Sequence, residues 1–337
     1  MLSTNLPFVS VLLVTRNEEQ YIEMSLMSVI YQSYPKRKYE IIIVDGLSND
    51  RTLDIIKGIQ SKYKTKDFNI SVIKNEKYIL SAGWNLGIKS AKGDYVTRID
   101  AHSTAAPDFI EKSVETMFSI DAICVGGKLI TNSIGDDINI ISKVLSSPFG
   151  VGNSSFRVSD KAGYADTVVY GLYKKSVFEE VSFFDETTER NQDIELHSKI
   201  RKAGYKFYFN PEISSTYYTR NNLKKMLKQA LGNGQWNMIL IIKGTSAPSL
   251  RHLIPFAFVL FLIASVICGY FWHPLWYLSI GVICLHLVLG LYFARKKTSN
   301  FCEILMMPWI FMLLHLTYGL GYLRGLLCIK KTIKNNR

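Results

Sequence analysis

Acidic residues are what this chain runs short of, and only in one part. Of 28 Asp and Glu in 337 residues, two (Glu212 and Glu303) lie beyond position 198, against 18 Lys and Arg. Residues 1–198 are mildly acidic, with 26 acidic and 22 basic side chains, so the formal net charge of +12 belongs to the C-terminal part. A nucleic-acid binder carries its basic face on the main folded domain. A surplus confined to the region before and within an apolar tail points instead to anionic head groups or a lipid-linked phosphate, and to no nucleic acid. Charge of either sign is missing from residues 253–272, 275–294 and 304–323. Each run is about twenty residues, enough to span a hydrocarbon core. Three such runs in a chain that is 48% hydrophobic argue against a purely soluble protein. Paired cysteines are missing too. Cys124, Cys268, Cys284, Cys302 and Cys328 have neither disulfide-type nor metal-type spacing, and read as small buried apolar side chains in a reducing compartment. A secretion signal is not expected: the apolar run at 8–14 is short, lacks a preceding basic region and leads straight into Arg16-Asn17-Glu18-Glu19.

What is present is a strand–helix alternation. Near-continuous apolar runs at 8–14, 41–44 and 70–73 read as buried parallel strands, and 95–99 as a fourth. Helical patterns lie between them, through Ile22, Leu26, Val29 and Ile30, over 52–63, and over 82–91. Asp50 or Asn49 can cap the second of these helices. This order predicts a doubly wound α/β sheet, in which ligands bind beyond the carboxyl ends of the strands. A helix is expected over 109–118, a strand over 122–130, irregular chain over 131–165, a strand over 166–171, and a helix from Asp193 to a stop at Gly204. The α/β part is expected to end at Pro211. Residues 222–243 form an amphipathic, basic segment that reads as an interfacial helix or as an ordinary core helix, with Gly232 and Gly234 a possible break.

The chemistry gathers at the fourth strand. Asp100 and His102 follow it two residues apart, so in extended chain their side chains share one side. A carboxylate beside an imidazole suits a divalent cation carrying a diphosphate, Mn²⁺ or Mg²⁺; the plainer reading is an Asp closing a turn and a surface His. Asp45 and the 14–18 segment also fall at strand ends.

These residues carry a resemblance. Val9-Ser10-Val11 through Asn17-Glu18, Ile43-Val44-Asp45-Gly46-Leu47-Ser48-Asn49-Asp50, Trp84-Asn85-Leu86-Gly87, Asp100-Ala101-His102 and Gln192-Asp193-Ile194-Glu195-Leu196 occur in the order seen in family 2 glycosyltransferases, inverting enzymes of the GT-A fold. The chain is most similar to the succinoglycan-type members, which also carry a membrane tail. The resemblance implies a GT-A mixed sheet with a Rossmann-like nucleotide-binding half. It also implies that Thr15, Arg16, Glu18 and Asp45 line the base and ribose, with Asp45 accepting from uracil N3–H. Asn85 would face the ribose or diphosphate, or else cap its helix. Asp100 would serve both nucleotide and metal, joined at the metal by His102 where the family usually has a second Asp. That exchange removes one negative charge and favours Mn²⁺ over Mg²⁺. Asp193 would be the general base, or else a helix cap, with Gln192 in place of the family's first acidic residue. Arg220, Gln229 and Trp236 resemble the membrane-proximal element that meets acceptor or donor phosphate. The Gln-x-x-Arg-Trp form of processive synthases is absent, which points to addition of a single sugar.

The expectation is a catalytic domain over 1–218, an interface segment over 219–250 and a membrane domain over 251–337 with three hydrophobic helices. The chain would be a multi-pass protein of the cell membrane with its catalytic domain on the cytoplasmic side. It would move one sugar from a nucleotide-diphosphate donor, a UDP-sugar by preference, to a polyprenyl-diphosphate-linked saccharide in exopolysaccharide or surface-glycan synthesis. A polyprenyl-phosphate sugar synthase and a catalytically silent sugar-nucleotide-binding scaffold are the alternatives. Arg295-Lys296-Lys297 and the 330–337 tail are both basic and both prefer the cytoplasmic side, which three full crossings cannot satisfy. The path of the third segment, re-entrant at Pro308 or otherwise, stays open.

Overall fold

Alternation at the head of the chain builds a sheet that is parallel on one side and mixed on the other. A computed structural model of the protein describes residues 6–133, 140–152, 154–219, 222–245 and 249–335. The first half runs β1 (Val9–Thr15), α1 (Ile22–Ile30), β2 (Tyr39–Asp45), α2 (Thr52–Tyr63), β3 (Ile70–Lys74), α3 (Leu80–Ser90) and β4 (Tyr95–Arg98). β3, β2, β1 and β4 are parallel neighbours in that order. β1 and β2 are buried along almost their whole length, which is why both read as unbroken apolar runs.

After β4 come β5 (Ser103–Ala105), α4 (Phe109–Ser119), β6 (Cys124–Ser133), α5 (Ile140–Leu145), α6 (Pro148–Val151), α7 (Ser155–Val158), β7 (Gly163–Ala165), β8 (Val169–Lys174), α8 (Ser176–Glu180), α9 (Gln192–Lys202) and β9 (Phe207–Thr219). The sheet continues from β4 through β8, β6 and β9 to β5, with β7 also on β9. These later pairings are antiparallel where their register is given. Gly127 lets β6 pass β9: a Cβ there would lie 1.7 Å from the Ile213 carbonyl oxygen.

Two expectations fail here. The α/β part does not end at Pro211, because β9 runs on to Thr219. β7 pairs with residues 207–209 and β5 with 215–217, so Pro211 falls between these two short partners. The 131–165 stretch is not irregular throughout, since it holds α5, α6, α7 and β7.

The chain divides into two compact units, 6–130 with 159–218, and 131–158 with 219–335. In the second, α10 (Leu223–Ile242), α11 (Leu250–Gly269), α12 (Pro274–Arg295) and α13 (Phe301–Asn335) follow in order. α11, α12 and residues 301–328 of α13 are each long and apolar enough to cross a membrane. The glycines of α10 do not break it. Gly234 meets α13 backbone to backbone, with a Cβ there only 2.1 Å from the Tyr318 carbonyl oxygen, and Gly321 answers it from the other side at 2.3 Å from the Leu231 carbonyl oxygen. Such small-residue crossings trade helix propensity for close approach. Asn222 caps α10 by accepting from the Lys225 amide at 3.2 Å. α13 likewise runs unbroken through Pro308, which packs against Gly290 of α12. Cys124 is buried as expected, but Cys268, Cys284 and Cys302 are exposed.

Candidate active site

Register brings the predicted residues to one end of the sheet. Thr15 is the partner of Asp45 across β1 and β2, and Leu12 the partner of Arg98 across β1 and β4. The chain therefore leaves three adjacent parallel strands at the same edge, beside Thr15–Glu18, Asp45–Ser48 and Asp100–His102. Ser25 of α1 ties two of these exits together by donating its hydroxyl to the Asp100 carbonyl at 3.1 Å.

Asp45 is buried, and its carboxylate closes the turn that follows. Oδ1 accepts from the Ser48 hydroxyl at 2.6 Å and Oδ2 from the Ser48 amide at 3.0 Å. Asp50, not Asn49, bonds the first turn of α2, accepting from the Thr52 amide at 3.0 Å. Thr15 is buried, with no hydrogen-bond partner for its hydroxyl among the described residues. The Arg16 guanidinium lies 4.7 Å over the ring of Tyr78. Tyr78 is half-exposed at φ +60°, a strained conformation for an aromatic residue.

Asp100 receives a hydrogen bond on Oδ2 from the Tyr170 hydroxyl at 3.0 Å, and that hydroxyl also shares a 2.7 Å bond with Ser103. Tyr170 is itself buried at φ +45°. His102 Nδ1 lies 3.4 Å from Glu18 Oε1, and its ring sits edge-on to Tyr217 at 5.1 Å. A carboxylate on one imidazole nitrogen is the usual support for metal ligation through the other. Among the described residues no three His, Cys, Asp or Glu side chains converge as a metal cage. The donor set fits an ion shared with a diphosphate, the common case for Mg²⁺-type sites, and does not fit an ion held by protein alone.

Asp193 stands in the first turn of α9 and pairs with Arg98. The carboxylate is 45% exposed and the guanidinium 12%. Arg98 stacks 4.8 Å over Trp84 and 5.9 Å from Phe184. Burial pulls its pKa down, but Asp193 and Asp100 together outweigh that and raise it. Arg98 thus stands as a cation supported by two carboxylates that are far apart in the sequence. It escaped the sequence reading. β4 ends at Arg98, and Ala101–His102 form a turn closed by the Ser103 amide on the Asp100 carbonyl at 2.9 Å, so the extended chain expected to join Asp100 to His102 is not found. Behind Arg98, His197 is buried between the Thr167 and Tyr173 hydroxyls, each at 2.6 Å, and burial lowers its pKa to about 3.

Asn85 does not open or cap its helix. It sits within α3, buried, and its amide clasps the loop before α9. Nδ2 donates to the Phe184 carbonyl and to Glu186 Oε1, and Oδ1 accepts from the Phe184 amide, all at 3.0 Å. Gln192 is buried, with Nε2 turned back to the Glu189 carbonyl at 2.7 Å. Gln229 and Trp236 belong to α10 in the second unit, the first exposed and the second buried. Arg220 lies outside the described residues.

Comparison with known proteins bears on the family and the fold. Residues 10–181 match the model of Glycosyl transferase family 2. A relative from Methanococcus voltae, a dolichyl N-acetyl-α-D-glucosaminyl phosphate 3-β-D-2,3-diacetamido-2,3-dideoxy-β-D-glucuronosyltransferase, is 34% identical over 97% of this chain and 99% of its own. The succinoglycan biosynthesis protein ExoA of Rhizobium meliloti is 26% identical over 94% of each. Among solved structures, a mannosyltransferase of Pyrobaculum calidifontis in complex with GDP-Man and Mn²⁺ superposes with a TM-score of 0.63 at 17% identity, covering 94% of this chain and 88% of that one, and shares the fold. A mixed α/β sheet with three acidic strand-end or helix-start positions, and similarity along the whole chain to a sugar transferase, place this protein in glycosyl transferase family 2.

Proposed function

We propose that this chain is an inverting, metal-assisted glycosyltransferase that moves one sugar from a nucleotide-diphosphate donor, a UDP-sugar by preference, to a lipid-linked saccharide at the membrane surface. The observation that carries the reading is that Arg98, whose charge is supported by both Asp193 and Asp100, pairs with a half-exposed Asp193 carboxylate beside the strand end that bears Asp100. Displacement with inversion needs such a carboxylate, because the base and the leaving group work on opposite faces of the sugar. Asp193 takes the proton of the acceptor hydroxyl as its oxygen bonds to the anomeric carbon. The bond from that carbon to the diphosphate oxygen breaks, and its electron pair leaves with the nucleoside diphosphate. Arg98 pairs with Asp193 and holds it in place; Trp84, Phe184 and the Asn85 clasp hold Arg98.

Asp100 and His102 would hold Mn²⁺ or Mg²⁺ together with the donor phosphates, with Glu18 orienting the imidazole. A bound ion there supplies Lewis-acid stabilisation to the departing diphosphate. Thr15, Arg16 and Asp45 would meet the nucleoside, the buried Thr15 hydroxyl and the Arg16–Tyr78 stack being the groups on that wall. The lipid-linked acceptor is inferred from the Methanococcus voltae relative, whose name specifies a dolichyl-linked sugar phosphate, and from the apolar helices here. The basic residues flanking those helices put the catalytic unit on the cytoplasmic side.

The test is product mass spectrometry on the detergent-solubilised chain with a panel of nucleotide sugars and polyprenyl-linked GlcNAc acceptors. One donor should give a one-sugar adduct that Mn²⁺ supports and Asp193→Asn loses. If the wild type is as inert as the variant with every donor and acceptor, the transferase reading falls and a sugar-nucleotide-binding scaffold replaces it.

A further inference from the structure

Three apolar helices invite a count of three crossings, but the packing of the third does not follow the other two. α11 and α12 form an antiparallel hairpin. A Cβ on Gly269 would touch the Trp276 ring, and Phe258 stacks on His286 at 5.4 Å. Residues on the two arms therefore stand at matching levels, with the open end at 250 and 295 and the closed end at 270–273. A third spanning helix would run along this hairpin from one end to the other. α13 does not do so. Pro308 packs on Gly290, and His315 Nδ1 accepts from His286 Nε2 at 2.9 Å while its Nε2 donates to the Phe149 carbonyl. Tyr318 meets His252 at 3.1 Å, Gly319 touches Pro255 and Val259, and Tyr322 stacks on Phe256 at 4.9 Å. From 308 to 322, α13 advances about 21 Å along its own axis. These contacts all fall at levels between His252 and Val259, about 10 Å of hairpin. The helix crosses the open end obliquely, while the closed half stays largely exposed among the described residues.

The composition of the two ends agrees. The closed end carries Tyr270, Phe271, Trp272 and Tyr277, all well exposed, and no charge, an interfacial aromatic belt. Among the described residues, every basic residue of the tail lies toward the open end or on α13: Arg251, Arg295, Lys296, Lys297, Arg324, Lys330, Lys331 and Lys334. α13 presents Leu305, Trp309, Leu313, Leu320 and Leu327 as one exposed apolar stripe, while α10 packs along another side of it. A helix apolar all round is covered on every face, here by protein on one side and by acyl chains on the other.

We infer that the chain crosses the bilayer twice, by the α11–α12 hairpin, and that α13 lies across the basic mouth of that hairpin in the headgroup–acyl boundary, with both its ends on one side. This places Arg295-Lys296-Lys297 and the C-terminal tail together, where the positive-inside preference puts them and where anionic head groups attract them. It stands whether or not the transferase reading does.

The test needs no substitution at first. The full chain with an epitope tag at each terminus is digested in sealed vesicles of inverted and of native orientation. Both tags should be lost from the same side, and His273→Cys at the hairpin turn should react with an impermeant maleimide only from the opposite one. Tags cleaved from opposite sides would show that α13 crosses. A His273→Cys variant labelled from the same side as the tags would show that the hairpin does not. Either result overturns the inference.

Discussion

Replacing Asn85 by Asp changes no atom count and should be among the most damaging substitutions in the first unit. The wild-type amide gives two hydrogen bonds and takes one, from a buried position, to a segment ninety-nine residues away. A carboxylate keeps the bond from the Phe184 amide and loses the other two. One of those was to a charged partner and the second to a backbone carbonyl that is then left unpaired. With about 0.5–1.5 kcal/mol for a neutral bond, 1.5–3 for a charged one and a further 1–3 for the stranded acceptor, the loss is about 3–7 kcal/mol, or roughly 10–20 °C in melting temperature for a unit of this size. The sign of its pH dependence follows. The new carboxylate sits about 3 Å from Glu186, whose pKa is lowered first by its bond to Lys77 and then by Asn85, and two such carboxylates cannot both stay ionised. On acidification one proton is shared, an O–H donor returns, and part of the loss is recovered. Asn85→Asp should therefore melt lower at pH 8 than at pH 5.5 relative to wild type, while Asn85→Ala should show a loss independent of pH. Thermal melts of the solubilised chain across that range decide it. An Asn85→Asp protein as stable as wild type, with a raised KM for the donor alone, would refute the clasp and return Asn85 to the nucleotide.

Further predictions rest on single contacts. Arg98→Met should lower kcat about 10²-fold through a misplaced base, Arg98→Lys should restore part of it, and the loss should not multiply with that of Asp193→Asn; multiplicative kinetics would mean that Arg98 acts elsewhere. Gly234→Ala gains about 1 kcal/mol of helix propensity but drives a Cβ into backbone, so a net loss of about 1–2 kcal/mol is expected, whereas Gly58→Ala in α2, where a Cβ meets nothing within 4 Å, should stabilise; comparative melts would expose an inverted order. His197 stays neutral in the fold and takes a proton near pH 6.5 when unfolded, so stability present above that value is lost as the pH falls. Between pH 6.5 and 4.5 the loss is about 2–3 kcal/mol, and a His197→Gln protein with the same pH slope would contradict it. UDP should bind the chain much more tightly with Mn²⁺ than without it in titration calorimetry, and equal affinities would remove the metal from the donor site.

How much of this could be read from the sequence depended on whether the determinant was local. β1, β2 and β3 are short apolar runs, α2 is bounded by Asp50 and a periodic face, and the apolar helices follow from charge-free length alone. α13's unbroken course could not be read that way. Pro308 would suggest a break, but α12 supplies a glycine opposite it. The Gly234–Gly321 crossing joins residues far apart in sequence, so Gly234 looks only like a helix defect until its partner is known. Asp193 was singled out only through the resemblance of Gln192-Asp193-Ile194-Glu195-Leu196 to a family motif, since by itself a carboxylate at a helix start reads as a cap. Arg98 was not, because a cation in a strand reads as a surface residue unless Trp84 and Asp193 are known to enclose it. The same holds for Tyr170 and Tyr78, whose strained backbones are set by tertiary contacts.

The charges at the sheet edge also explain why this site would need an ion despite having only two protein donors for it. Arg98 is the buried cation beside Asp100, and it is already balanced by Asp193 and Asp100. Asp45 is neutralised by no cation, only by the two Ser48 bonds, and Glu18 is set against an imidazole. A diphosphate arriving at Asp100 would meet these carboxylates with Arg98 already paired to Asp193 and Arg16 stacked on Tyr78. Exchanging the family's second Asp for His102 removes one of those negative charges, which makes the donor easier to admit. If Asp100 and His102 hold an ion, the exchange would also leave fewer anionic protein ligands, so that the donor diphosphate would have to complete the coordination. Metal and donor binding would then be coupled, each strengthening the other, which is what the UDP titration with and without Mn²⁺ reads.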